Sequence, residues 1–250
     1  MALTAARGES ALITGAGRRI GRVLALEAAR AGYDVVIHHH HSAEEAEGVA
    51  EEVRGLGRHA VTAAADLADA AALNTLTRAA ISLGPLTLLV NSASLFLDDA
   101  VGALAPDLFD AHQAINLRAP VLLAEALAAA LPTGKRGLVV NIIDQRVLRP
   151  DPSFFSYALS KAGLHWATQT LAQALAPMVR VNGIGPGPTL PSIHQAPGEF
   201  EAEAQASLLA RPVTPQALAQ ALRYLIDAEF VTGQMIAVDS GQHLSFGTLP

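Results

Sequence analysis

Short apolar runs rich in β-branched residues alternate along the chain with longer stretches in which apolar positions recur every three or four residues. The two periods predict strands near 10–14, 33–38, 59–64, 86–91, 137–143, 179–184 and 234–238. They predict helices near 19–31, 43–55, 69–83, 107–131, 154–176 and 214–227. In the first helix Ile20, Val23, Leu24, Leu26 and Ala28 mark the apolar side, and Gly32 supplies a C-terminal stop. Runs such as LTLLV and GLVVNII are apolar with little interruption, as strands buried on both faces require. Regular alternation of strand and helix implies a parallel sheet covered by helices. The expected fold class is therefore α/β, a doubly wound parallel sheet of seven strands in a single domain spanning 1–250, without repeat or linker.

One segment breaks the rhythm. Residues 185–215 hold Pro186, Pro188, Pro191, Pro197, Pro212 and Pro215 together with Gly185, Gly187 and Gly198. The segment follows the sixth strand, and doubly wound sheets bind ligands beyond the carboxyl ends of their strands. It reads as a substrate loop or lid, with a plain surface excursion as the alternative.

Composition narrows the class. The chain has 250 residues, 51% apolar and 16% charged, enough to bury a large core. A net charge of -6 with no basic block speaks against a nucleic-acid partner. Cysteine is absent, which excludes disulfides and thiolate metal sites and fits a reducing compartment. Met1 to Ser10 lack the apolar core of a secretory signal, and no apolar run reaches the roughly 18 residues of a membrane span. The expectation is a cytoplasmic protein with no membrane partner.

The first strand ends in Thr14-Gly15-Ala16-Gly17-Arg18-Arg19-Ile20-Gly21. A glycine turn leading into a helix offers free amides and a positive dipole end to a pyrophosphate. The second strand ends in His38-His39-His40-His41-Ser42, with no carboxylate before Glu44. Arginine, histidine and hydroxyl donors suit a 2′-phosphate, which a carboxylate would repel, so the cofactor expected is NADP(H). Four consecutive histidines on a strand point to opposite faces and cannot all meet one metal ion, so no metal is assigned. Asp66-Leu67 and Asn91-Ser92-Ala93-Ser94 follow the third and fourth strands, where they are candidate cofactor contacts or simple polar caps. Tyr157 and Lys161, four residues apart at the start of a helix, share one face. An ammonium beside a phenol lowers its pKa from the usual value of about 10, which would make Tyr157 a proton donor at neutral pH.

The turn at 14–21, Asn91-Ser92-Ala93, Asn116, Tyr157-Ala158-Leu159-Ser160-Lys161, Arg180 to Gly187 and Val231-Thr232-Gly233-Gln234 together resemble the short-chain dehydrogenase/reductase family over nearly the whole chain. The resemblance implies a Rossmann-type sheet in the order 3-2-1-4-5-6-7, a homotetramer or homodimer, and a tetrad of Asn, Ser, Tyr and Lys. Asn116, Tyr157 and Lys161 match three members. Asn116 is then expected to hold a water in the proton relay, and Lys161 to bind the nicotinamide ribose. Gly15, Ile20, Asp66, Leu67, Asn91, Ser92 and Ala93 are expected along the cofactor, as are Pro186, Gly187 and Thr189.

Two positions depart from the family pattern. Asp144 stands where the serine usually falls, and Arg19 where glycine is common. Both departures resemble the pteridine reductases, and the 230–233 stretch resembles the dihydromonapterin reductases. That likeness implies that Arg19, His38, His41 and Ser42 hold NADPH, beside Arg18 of the adjacent turn, that Phe96 stacks a pterin on the nicotinamide, and that Ser94 touches cofactor and substrate. Asp144, Tyr157 and Pro186 complete the expected substrate site. The commoner double asparagine is Asn91-Ser92 here, and the tail from Gln242 to Pro250 has no arginine with which to reach a neighbour's site. The competing readings are a reductase of ordinary carbonyls, such as a 3-oxoacyl thioester, and a non-catalytic NADP-binding module.

Overall fold

The computed structural model describes residue 4, residues 6–191 and residues 195–245. Residues 192–194 of the expected loop, 246–250 of the tail and 1–3 and 5 of the N-terminal stretch lie outside the described residues. Among the described residues seven strands form one parallel sheet: β1 (Ser10–Ile13), β2 (Asp34–His39), β3 (Ala60–Ala64), β4 (Leu86–Asn91), β5 (Gly137–Ile142), β6 (Val179–Pro186) and β7 (Met235–Val238). Their order is β3-β2-β1-β4-β5-β6-β7, as the resemblance implies. Between them run α1 (Arg19–Arg30), α2 (Ala43–Gly55), α3 (Leu73–Leu83), α4 (Pro106–Gln113), α5 (Ala119–Ala130), α6 (Phe155–Leu175), α7 (Glu199–Gln205) and α8 (Pro215–Asp227).

Every residue of β1, β4 and β5 is buried, so each strand must be apolar on both faces. One face packs Ile13, Ile37 and Val90 against Leu24 of α1 and Leu222 of α8. The other packs Leu12, Leu89 and Val139 against Leu76 of α3 and Leu123 of α5. Truncating one of these leucines to alanine would cost about 2–5 kcal/mol. The strand order reverses between β1 and β4, which opens a crevice at their carboxyl ends.

Three expected elements differ. Helix α3 starts at Leu73 rather than near 69. The Asp66 and Asp69 carboxylates accept the amides of Ala68 and Ala71, each at 2.8 Å, and such local turns compete with helix. The single helix expected at 107–131 is divided by a π-helical turn over Ala114–Arg118. Pro120 has no N–H to return to Asn116 four residues earlier, so the ordinary ladder cannot pass this point. The loop expected over 185–215 contains α7, and β6 runs into it as far as Pro186.

Candidate active site

Thr14 joins the two walls of the crevice. Its hydroxyl oxygen accepts the amides of Ser92 and Ala93 at 2.9 and 3.0 Å, fixing the turn after β4 to the end of β1. Gly15 has φ +64°, and a Cβ there would lie 2.8 Å from the Cα of Ala93. A Cβ on Gly21 would lie 2.1 Å from the Gly15 carbonyl oxygen, so α1 approaches the turn only because both residues are glycine. Arg18 caps α1 without a side-chain bond, which leaves the first amides of the helix to a ligand. The Arg18 guanidinium lies 3.7 Å from Glu45, an exposed pair that binds weakly.

Arg19 sits at φ +52°, a left-handed conformation that costs a non-glycine residue about 1–3 kcal/mol. Its side chain crosses the crevice, and Nη2 donates to the carbonyls of Leu190 and Pro191 at 3.3 and 3.0 Å. A strained arginine thus links the glycine turn to the 185–215 segment.

A cavity of about 460 Å³ opens here, lined by Gly15, Arg18, Arg19 and Ile20 on one side and by His38 to Ser42, Asp66, Leu67 and Ser92 to Leu95 on the others. Most of the expected cofactor contacts therefore line one cavity. Asn91 does not: it lies beneath, its Nδ2 donating to Asn141 Oδ1 at 2.8 Å, in a buried chain that continues to Thr168. Pro186, Gly187 and Thr189 sit at the end of β6, outside this cavity, where Gly187 packs against the Asp239 backbone and Thr189 donates to the Gly187 carbonyl.

His38 requires a correction. It is buried, its Nδ1 accepts the Gly15 amide at 3.0 Å, and its Nε2 lies 3.1 Å from the Ala65 carbonyl oxygen. Only the neutral ring with the proton on Nε2 satisfies both contacts, so His38 braces the glycine turn and carries no charge to a phosphate. Burial lowers its pKa from 6.5 to about 4, partly opposed by the Ala65 bond. The exposed rings at this strand end are His40 and His41, 3.5 Å apart. The sequence reading missed His39 and His40 as lining residues. The pairing of His38 and His39 with Ala63 and Ala64 shows that β2 lasts one residue longer than expected, so the open positions begin at His40.

A pH dependence of stability follows. Because the folded pKa lies below the unfolded one, neutral His38 stabilises fully above about pH 6.5, and that contribution is lost as pH falls toward 4. The full loss is on the order of 3 kcal/mol. Urea unfolding at pH 7 and pH 5 should show a smaller decline for His38→Gln than for the wild type. Equal declines would show that His38 contributes nothing through its proton.

On the other side of the crevice Asp144 follows β5 by two residues. Its Oδ2 accepts the Tyr157 hydroxyl at 2.6 Å, and its Oδ1 accepts the Arg146 amide at 2.8 Å. The carboxylate therefore caps the short 3-10 turn Gln145–Val147 with one oxygen and holds the phenol with the other. Lys161 is buried and donates to the Ile142 carbonyl at 2.8 Å, its Nζ 5.7 Å from the centre of the Tyr157 ring. Burial lowers the Lys161 pKa to about 8, against the attraction of Asp144. The expectation that lysine acidifies the phenol is not met. Burial, reinforced by the Asp144 charge, pushes the Tyr157 pKa well above its usual value. Tyr157 keeps its proton and shares it with Asp144 through the hydrogen bond between them.

Asn116 is also committed. Its Oδ1 accepts the Leu95 amide at 2.8 Å, and its Nδ2 donates to the Leu95 carbonyl at 2.9 Å and to Ser160 Oγ at 3.1 Å. Ser94 Oγ donates to Asn116 Oδ1 at 3.3 Å. The side chain braces the loop after β4, with both of its polar atoms taken by protein partners. Phe96, next on that loop, stacks on Phe154 with ring centres 4.3 Å apart and meets Tyr157 edge-on at 4.7 Å. Phe154 was missed by the sequence reading; the aromatic pair Phe154-Phe155 just before Tyr157 was the available signal.

Residues 9–202 match the model of the short chain dehydrogenase family. The chain is 46% identical to an alternative dihydrofolate reductase 1 (FolM) from Brucella canis, solved in complex with NADP, with a TM-score of 0.92 and 96% of each chain covered. It is 36% identical to an uncharacterized oxidoreductase of Mycobacterium tuberculosis, over 92% of this chain and 90% of that protein. It is 28% identical to a 3-oxoacyl-[acyl-carrier-protein] reductase of Staphylococcus aureus, over 94% and 98%.

Proposed function

The chain belongs to the short-chain dehydrogenase/reductase family, and from that premise we propose that it reduces the ring of a pterin with NADPH. The single observation that carries this reading is the 2.6 Å bond between Tyr157 and Asp144, with Phe96 edge-on to the same phenol. A carbonyl reductase needs a neutral donor beside its tyrosine to bind the developing oxyanion, and a carboxylate there repels that charge. In a pterin, hydride adds to a ring carbon of a C=N bond and the ring nitrogen takes a proton. Tyr157 delivers that proton from its hydroxyl; Asp144 sets the position of the phenol and, on taking a proton from solvent water, returns it to the phenolate. Phe96 offers the flat apolar face that a flat heterocycle needs.

The cofactor is NADP(H), which supplies the hydride from its nicotinamide. The glycine turn and the N-terminus of α1 suit its pyrophosphate, and Arg18, Arg19, His40, His41 and Ser42 its 2′-phosphate. The Lys161 ammonium and the Tyr157 hydroxyl suit the nicotinamide ribose. NADPH should bind about ten- to a hundredfold tighter than NADH, the worth of one or two charge-assisted contacts. Titration of both cofactors checks this, and equal affinities would remove the 2′-phosphate site.

Dihydrobiopterin, dihydrofolate and dihydromonapterin, assayed with NADPH beside a 3-oxoacyl thioester, test the proposal. Turnover of any pterin supports it. Turnover of the thioester alone would replace it with the carbonyl reading. No turnover of any substrate would favour a binding module.

A further inference from the structure

A buried chain of polar groups beneath the Phe96 loop is not used by the proposed reaction. His112, near the end of α4, is fully buried, with Nδ1 2.6 Å from Ser156 Oγ. The Ser156 hydroxyl donates to Asp99 Oδ2 at 2.5 Å, and the Ser156 amide donates to Asp99 Oδ1 at 2.9 Å. On the opposite side of the imidazole, the Leu97 amide donates to Nε2 at 3.3 Å. Only one arrangement of protons satisfies every contact. Nε2 accepts, so Nδ1 carries the proton and donates to Ser156, which donates to the carboxylate.

The placement of these groups suggests their use. Leu97 follows Phe96, Ser156 precedes Tyr157, and Asp99 belongs to the Phe96 loop. Residues 92–100 have no helix or strand to hold them in place. Asn116 holds this loop at Leu95, and the chain of His112, Ser156 and Asp99 holds it on the other side of Phe96. The Asp99 carbonyl also accepts the Phe155 amide at 3.2 Å, tying the loop to the first turn of α6. Phe96 is thus held between two buried anchors, its ring against Phe154 and beside the proton donor.

We infer that His112 is a positioning residue for the substrate: through the Leu97 amide, and through Ser156 and Asp99, it holds Phe96 where a flat ring must stack beside Tyr157. It touches neither substrate nor cofactor. The inference rests on the proposed reading only in naming that ring a pterin.

The test combines two single variants with a double-mutant cycle. His112→Ala and Ser156→Ala each break the chain, and Ser156→Ala does so with little change of volume. Both should raise the KM for the pterin that the wild type reduces about three- to tenfold, the worth of a lost aromatic stack. The kcat at saturation and the NADPH affinity should stay within about twofold. In a Phe96→Ala background the same substitutions should change KM by less than about twofold, because the ring they position is gone. An equal KM change in both backgrounds, or a loss confined to kcat, would overturn the inference. If the wild type reduces no pterin, the pterin reading fails by itself. The cycle is then run with the carbonyl substrate the protein accepts, where unchanged KM in the single variants overturns the inference separately.

Discussion

Tyr157→Phe is expected to bind NADPH within about tenfold of the wild type, the worth of one ribose hydrogen bond, and to lose about a hundred- to ten-thousandfold in turnover, the usual worth of a positioned general acid. The substitution removes one hydroxyl from a buried ring whose packing against Phe96 and His112 does not depend on it. The cost falls on proton delivery because that hydroxyl is the group bonded to Asp144. Asp144 does not take over easily: its Oδ1 is committed to the Arg146 amide and its Oδ2 faces the phenol. Stopped-flow oxidation of NADPH with saturating pterin would read the loss directly, while fluorescence titration reads cofactor binding. Near-wild-type rates with every accepted substrate would show that the proton comes from elsewhere.

Much of this site was legible in the sequence, and what was not depended on contacts between distant residues. The strand and helix periods located all seven strands, because a sheet buried on both faces leaves its strands apolar. The glycines at 15 and 21 were legible as a tight turn leading into a helix, since turn geometry is local. The pairing of Tyr157 with Lys161 was legible as shared helical face but not as chemistry. Lys161 bonds to the Ile142 carbonyl on β5, and burial of the phenol, reinforced by Asp144 thirteen residues before it, raises its proton affinity. The histidine run misled for a related reason. Its composition suggested positive charge, but the end of β2 turns His38 under the glycine turn, where burial keeps it neutral. The loop anchor through His112 carries no local signature, because it joins residues 15 and 44 positions apart.

Asp144→Ser is expected to keep the fold, to lower pterin turnover about a hundredfold or more, and to shift relative preference toward carbonyl substrates. The structural half of Asp144's work survives the change, because a serine hydroxyl can accept the Arg146 amide as the aspartate does. The chemical half does not. A serine beside Tyr157 has no carboxyl with which to resupply a proton to the phenol, whereas it can donate a neutral hydrogen bond to a developing oxyanion. Removing the carboxylate also removes a charge that holds the phenol's pKa up, so any activity that needs ionised Tyr157 should move to lower pH. Asp144→Asn separates charge from shape: its carbonyl oxygen can still accept the Arg146 amide, while the NH2 in place of Oδ2 can only donate to the Tyr157 oxygen and cannot carry the proton. The measurement is kcat/KM for a pterin and for a 3-oxoacyl thioester across pH, in the wild type and both variants, with thermal unfolding as a control for the cap. Unchanged pterin turnover in Asp144→Ser would reduce Asp144 to the cap of the turn after β5, and the preference for a pterin would then have to come from Phe96 alone.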